Sequence, residues 1–146
     1  MKKVISLVCL LFFILSYSQK TFKYKDRHFP ARYVLVGRKD TISTRVQNIG
    51  YVTHKKFYAE TYVGSILTIS ESGEKQRVQE SDIQYMEIID LEGVKRKLFS
   101  SQLILGKNVG LLQKYNDGEK DGYVDYYRVS LTGPLSTKFY PKEVIK

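Results

Sequence analysis

Gln76-Arg-Val-Gln-Glu-Ser-Asp-Ile-Gln-Tyr-Met-Glu-Ile-Ile-Asp-Leu-Glu-Gly-Val-Lys-Arg-Lys-Leu-Phe-Ser100 decides the fold class of this 146-residue chain. Its two arms are rich in β-branched and aromatic residues and flank Asp90-Leu91-Glu92-Gly93. Gly93 supplies the backbone freedom that a tight reversal requires, so the stretch reads as a β-hairpin. Ser81-Asp82 reads as a bend into it, because short polar side chains bond their own backbone.

Similar signals extend outward. Residues 32–38 predict a first strand, Lys39-Asp40 a turn, and residues 41–46 the returning strand. Residues 51–62 mix aromatics, Lys and His and fit a short helix or a loop with an edge strand. Residues 65–70 and 75–78 predict a further pair around a turn at 71–74. Residues 101–106 fit a strand or a short helix, and 109–115 a strand. Residues 123–131 alternate, with Tyr123, Asp125 and Tyr127 on one face and Val124, Tyr126 and Arg128 on the other. Gly133-Pro134 turns the chain into a last strand at 135–140. The tips at 37–41, 70–75 and 90–95 resemble one another, each polar and charged between apolar arms. Seven or so short strands without a long amphipathic helix predict an all-β domain: a small antiparallel sandwich or partly open barrel built of successive hairpins.

The domain is expected to span residues 32–146, after an extended lead-in at 19–31. Residues 1–18 read as a signal peptide. Lys2 and Lys3 precede an apolar run of about a dozen residues, and Ser16-Tyr17-Ser18 offers a cleavage site. The run falls short of the roughly 20 residues that a membrane span needs. Export through the Sec pathway follows, to a periplasmic, outer-membrane-associated or secreted location, with no span in the mature form. The only cysteine, Cys9, lies in this segment. Val8 before it is a poor fit to a lipoprotein site, so the mature form is expected to have no thiol and no disulfide. Removing Lys2 and Lys3 takes 24 basic residues to 22 against 15 acidic, a balance of +7. That balance suits anionic partners as well as solubility. No basic run is long enough for a nucleic-acid arm, and no nucleic-acid partner is expected.

The signal ending Ser-Tyr-Ser-Gln, the opening Tyr-Val-Leu-Val-Gly-Arg-Lys-Asp-Thr-Ile at 33–42, and Ser-Asp-Ile-Gln-Tyr-Met-Glu at 81–87 with its Leu-Glu-Gly turn resemble a group of uncharacterised exported proteins of Bacteroidota. Lys39 stands where that group opens with Gly-Asp-Thr-Ile. The resemblance covers about Tyr33 to Phe99 and consists of structural turns. It implies a secreted or envelope β-domain and no catalytic residue.

Four constellations bear on chemistry. His28 and His54 stand apart, without a second ligand at metal spacing. Asp117, Glu119, Asp121 and Asp125 match the first part of a calcium loop, with Gly122 at the sixth position. Arg128 stands where a bidentate acid belongs, and strands rather than helices flank the loop. The same residues therefore read as a charged hairpin turn, with calcium as the alternative. Tyr123, Tyr126 and Tyr127 suit either half-buried strand positions or stacking on sugar rings. Lys95, Arg96 and Lys97 suit either a charged sheet edge or an anion contact. No nucleophile elbow, zinc-protease motif or phosphate loop occurs. Asp40, Asp82, Glu87, Asp90 and Asp125 are scattered acids that spacing alone does not pair. The expected function is a non-catalytic interaction or structural module with an envelope protein partner. The alternative is a binding protein for an anionic glycan or lipid head group, and a hydrolase with dispersed acids stands third.

Overall fold

The computed structural model describes residues 22–50, 56–130 and 132–145. The expected signal segment 1–18, the start of the lead-in, and His54 lie outside the described residues. Nine antiparallel strands form one sheet: β1 (His28–Leu35), β2 (Ile42–Gln47), β3 (Ser65–Ile69), β4 (Lys75–Gln79), β5 (Ile83–Ile89), β6 (Lys95–Ser100), β7 (Leu111–Asn116), β8 (Asp121–Arg128) and β9 (Leu135–Pro141). One short helix, α1 (Ser101–Leu105), follows β6 and resolves the 101–106 ambiguity. The first strand begins four residues earlier than its apolar run suggested. Phe29 and Ala31 alternate with exposed Pro30, and this period of two carries the strand back to His28.

The strand order is β4-β3-β2-β1-β5-β6-β7-β8-β9. Every pairing but one joins sequence neighbours; the exception places β5 beside β1. Only the three-residue 3-10 turn Glu80–Asp82 connects β4 to β5. In a flat sheet those strands would stand four spacings apart, about 19 Å. The four Cα steps from Gln79 to Ile83 reach at most about 14 Å. The sheet must therefore curl, and β1 to β5 form a small, incomplete barrel. The strands β4 and β9 are not paired with each other, so the sheet is open.

The core lies inside the curl. It is built from Phe29, Ala31 and Tyr33 of β1, Val46 of β2, Ile66 of β3, Val78 of β4, Ile83, Met86 and Ile88 of β5, Leu98 of β6 and Leu111 of β7. Tyr62, from the loop before β3, fills the middle and is fully buried. Its ring stacks with Phe57 at 6.1 Å and meets Tyr126 edge-on at 6.1 Å. Its hydroxyl donates to Gln113 Oε1 at 3.2 Å and so joins the barrel to β7.

Two of the three similar tips are the same turn. In residues 70–74 and 90–94 the first residue's carbonyl accepts the glycine N–H, and its own N–H donates to the fifth residue's carbonyl. Gly73 and Gly93 take φ of +84° and +78°, the three-residue hairpin loop whose last position favours glycine. The side chain of the first residue completes each loop: Ser70 Oγ accepts from Glu74 N at 3.1 Å, and Asp90 Oδ1 accepts from Val94 N at 2.9 Å. Asp90 is buried and also accepts from Glu92 N and Arg96 Nη2. The tip at 37–41 has no such closure; Arg38 N donates to Leu35 O instead.

Two stability predictions follow from burial. Asp90→Ala leaves Arg96 and two amides unanswered and should cost about 2–3 kcal/mol in urea unfolding, whereas Ser70→Ala should cost about 1 kcal/mol or less. Tyr62→Phe keeps the packing but strands a buried carbonyl of Gln113, and should cost about 1–2 kcal/mol by the same measurement.

Candidate functional site

The six residues that sequence nominates for ligand contact do not form one surface. Lys95 and Lys97 project from the outer face of β6, and Arg96 from the core face. Nor is β6 an edge strand, as its charges suggested: β5 flanks it along its length, and β7 flanks Leu98–Ser100. The pairing with β7 stops at Leu98↔Gln113, so residues 95–97 have a neighbour on one side only. Two of these charges are paired with carboxylates, and the third lies across from one. Lys95 Nζ lies 3.3 Å from Glu87 Oε1, Lys97 stands opposite Glu87 in register, and Arg96 holds Asp90 at 2.9 Å. Tyr123 meets Phe99 on the outer face and Tyr126 meets Tyr62 on the core face, while Tyr127 is exposed.

The carboxylates of the calcium-like loop are also held apart. Asp117 closes its own turn. Its Oδ1 accepts from Glu119 N and Lys120 N, and its Oδ2 from the Tyr115 hydroxyl at 2.8 Å. The Lys120 amide first, then the Tyr115 hydroxyl, hold its carboxyl below the usual range. Asp121 opens β8 and pairs with Lys142 at 3.2 Å. Asp125 lies four residues further along an extended strand, about 13 Å away, where burial raises its carboxyl and Lys138 opposes the rise. Ligands of one calcium ion must each reach within about 2.6 Å of it. A hairpin spreads these acids out where an EF-hand loop would wrap them. Among the described residues no three His, Cys, Asp or Glu side chains gather around a point.

Two of the clefts that hold charged groups contain residues nominated from sequence for ligand contact; a third, about 450 Å³ beside Arg38, Arg77 and Asp82, contains none of them. The larger, about 500 Å³, runs over the outer face past Tyr24, Arg32, Arg45, Glu71, Glu87 and Lys95. Its buried carboxylate is satisfied by the cations around it. Glu87, only 4% exposed, takes Arg32 at 3.2 Å, Lys95 at 3.3 Å and the Tyr85 hydroxyl at 3.1 Å. Burial pushes this carboxyl up, but the Tyr85, Lys95 and Arg32 donors outweigh it and hold it below the ordinary range. Arg45 stacks on Tyr24 at 4.4 Å and donates to His28 O at 2.9 Å.

The smaller cleft, about 320 Å³, opens where β7 leaves β6. Lys56, Phe57, Tyr58, Arg96, Gln113 and Tyr126 line it. Arg96, Gln113 and Tyr126 come from three adjacent strands, and the loop 56–59 forms the opposite wall. Buried Asn48 pins that loop: its Nδ2 donates to Lys56 O at 2.8 Å, and its Oδ1 accepts from Tyr58 N at 3.1 Å. Among the described residues no carboxylate lines this cleft. The Arg96 guanidinium lies 4.4 Å over the Phe57 ring and is anchored by Asp90, so it is held in one orientation. Its Nε is buried without a hydrogen-bond partner among the described residues. Sequence nominated Arg96 and Tyr126 but not Lys56, Phe57, Tyr58 or Gln113. The aromatic and basic mixture of residues 51–62 was the available signal; nothing in it pointed to Asn48, which fixes the loop.

The chain matches no protein-family model, and no curated protein or solved structure is significantly similar to it. No helix among the described residues is long and apolar enough to cross a membrane.

His28 belongs to packing. It is buried beneath Phe22 and Tyr24, with ring centroids 6.2 Å from each, and its Nδ1 accepts from Lys25 N at 3.2 Å. Burial first, then Arg27 and Lys25, lower its pKa from 6.5. The folded state favours the neutral ring, so this contribution is complete above pH 6.5. It declines as pH falls from there to the lowered folded value. Glu80 and Asp125 are raised by burial and act in the reverse sense. Wild type should therefore lose more thermal stability between about pH 7 and pH 5 than His28→Gln, and parallel melting curves would refute the assignment.

Proposed function

We propose that the protein is an exported, non-catalytic binding module that recognises an anionic glycan or lipid head group. The supporting observation is the smaller cleft: among the described residues two cations and three aromatic rings converge on it, no acid lines it, and a guanidinium lies over one of the rings. Of the acids that sequence offered for hydrolysis, Glu87 and Asp90 are claimed by cations and sit on opposite faces of the hairpin. Export is supported by the residue pattern of 1–18, and the charge balance of +7 favours attraction of anions. The resemblance to exported Bacteroidota proteins is in keeping with an envelope setting.

A second reading, docking on an envelope protein partner, draws on the unpaired edges of β4 and β9, where a strand could be added. Retention on an anionic polysaccharide matrix separates the two. The anion-binding reading expects strong retention at low salt, lost on raising salt from about 0.02 to 0.3 M, and weaker in Lys56→Gln at equal stability. No retention at any salt, together with one stoichiometric protein recovered by cross-linking in the native envelope, would transfer the assignment to the docking reading.

A further inference from the structure

Resting on the anion-binding reading, we infer that the smaller cleft takes a sugar ring bearing a single carboxylate, such as a uronate residue of a polysaccharide. Charge narrows the anion class. Among the described residues, Lys56 and Arg96, less the Asp90 carboxylate that Arg96 already holds, leave a local balance of +1. That balance suits a single negative charge such as one carboxylate. A phosphomonoester carries about −1.5 to −2 at pH 7 and would remain under-neutralised here.

The donors match as well. Arg96 has one Nη2 bond to Asp90, its Nε is buried and it lies over Phe57, which leaves Nη1 and the second Nη2 hydrogen for the two oxygens of a carboxylate. Gln113 spends its carbonyl on the Tyr62 hydroxyl, and its amide nitrogen has no partner among the described residues. That amide is placed to donate to a ring hydroxyl. Tyr58 and Tyr126 supply amphipathic rings against which the apolar face of a pyranose packs. At about 320 Å³ the cleft is at the small end of ligand sites, sized for one or two sugar rings rather than a long segment.

Lipid is disfavoured by the surroundings. Among the described residues the exposed large apolar ones are Val36, Ile49, Leu91, Val94, Leu103, Val109, Tyr127 and Val129, and none of them lines the cleft. Within the described lining a head group finds no large aliphatic side chain for its acyl chains.

The chain has no tryptophan, so the fluorescence of its 12 tyrosines, Tyr58, Tyr62 and Tyr126 among them, is read without that background. Titrate the purified protein with a glucuronate-containing oligosaccharide, a neutral gluco-oligosaccharide of equal length, inorganic phosphate, and phosphatidylglycerol vesicles. The expected result is saturable one-to-one binding of the uronate, at least about tenfold tighter than the neutral sugar. Arg96→Lys, which keeps the charge but loses the fork, and Lys56→Gln at the exposed rim should each weaken it about tenfold, with circular dichroism showing both folded. Equal binding of the neutral sugar, or uronate binding untouched by both variants, would overturn the inference. Binding of vesicles or phosphate in place of uronate, weakened by Lys56→Gln, would overturn it while leaving the anion-binding function standing. No binding of any anionic probe would overturn both.

Discussion

Three residues between β4 and β5 are too short to cross a flat sheet, and the rest of the structure depends on that. Because the chain must return from the edge strand to the far side of β1 through Glu80–Asp82 alone, the first five strands curl. Curling turns one face of every strand toward a common interior. Phe29, Tyr33, Val46, Ile66, Val78 and Met86 then meet, although they lie far apart in sequence. The turn itself is tied in at both ends: Glu80 N donates to Gly64 O, and Val36 N donates to Asp82 O. The Glu80 side chain accepts from Leu111 N at 3.5 Å and so reaches the start of β7 as well. Its burial raises the carboxyl above its ordinary range.

Beyond the barrel the sheet continues as β6 to β9, and this extension makes the candidate site. A closed barrel would have paired β6 along its whole length. Here β7 departs at Gln113, and the gap is bounded by side chains of β6, β7 and β8. Tyr62 stands between barrel and extension. Buried beneath Phe57 and bonded to Gln113, it connects core packing to the cleft wall. Arg96 is in a comparable position, since the residue that closes its hairpin tip, Asp90, is also the one that aims its guanidinium.

The outer face shows why a basic cluster is not in itself a binding surface. Arg32, Lys95 and Lys97 come from strands on either side of β5, and Glu87 sits between them. Antiparallel register decides this arrangement, because residues directly opposite each other lie about 5 Å apart and interact as pairs. Three cations that look available along the chain are therefore neighbours of one buried carboxylate.

Local patterns in the sequence were sufficient for the all-β class, the position of most strands and the chemistry of the tips. A period of two marks a strand wherever one face is buried, and Ser70 and Asp90 with Gly73 and Gly93 close loops only a few residues long. The same locality explains what was missed. Period two separates the faces of β8 but does not say that Tyr126 faces Tyr62 while Tyr123 and Tyr127 face outward. The acids 117–125 have calcium-loop spacing in sequence, and extended geometry pulls them apart. The run 95–97 carries the charges of an edge and is open on one side, yet strand order places β6 as a whole inside the sheet, with β7 paired to it from Leu98 onward. The loop 56–59 has no period at all and is placed by one distant side chain, Asn48. Sequence by itself thus determined what each segment is, because hydrogen bonding and alternation act over neighbouring residues. Only the tertiary structure decided which charges meet and where a cleft opens, because both depend on strand order, register and curl, which are set by contacts between segments far apart in the chain.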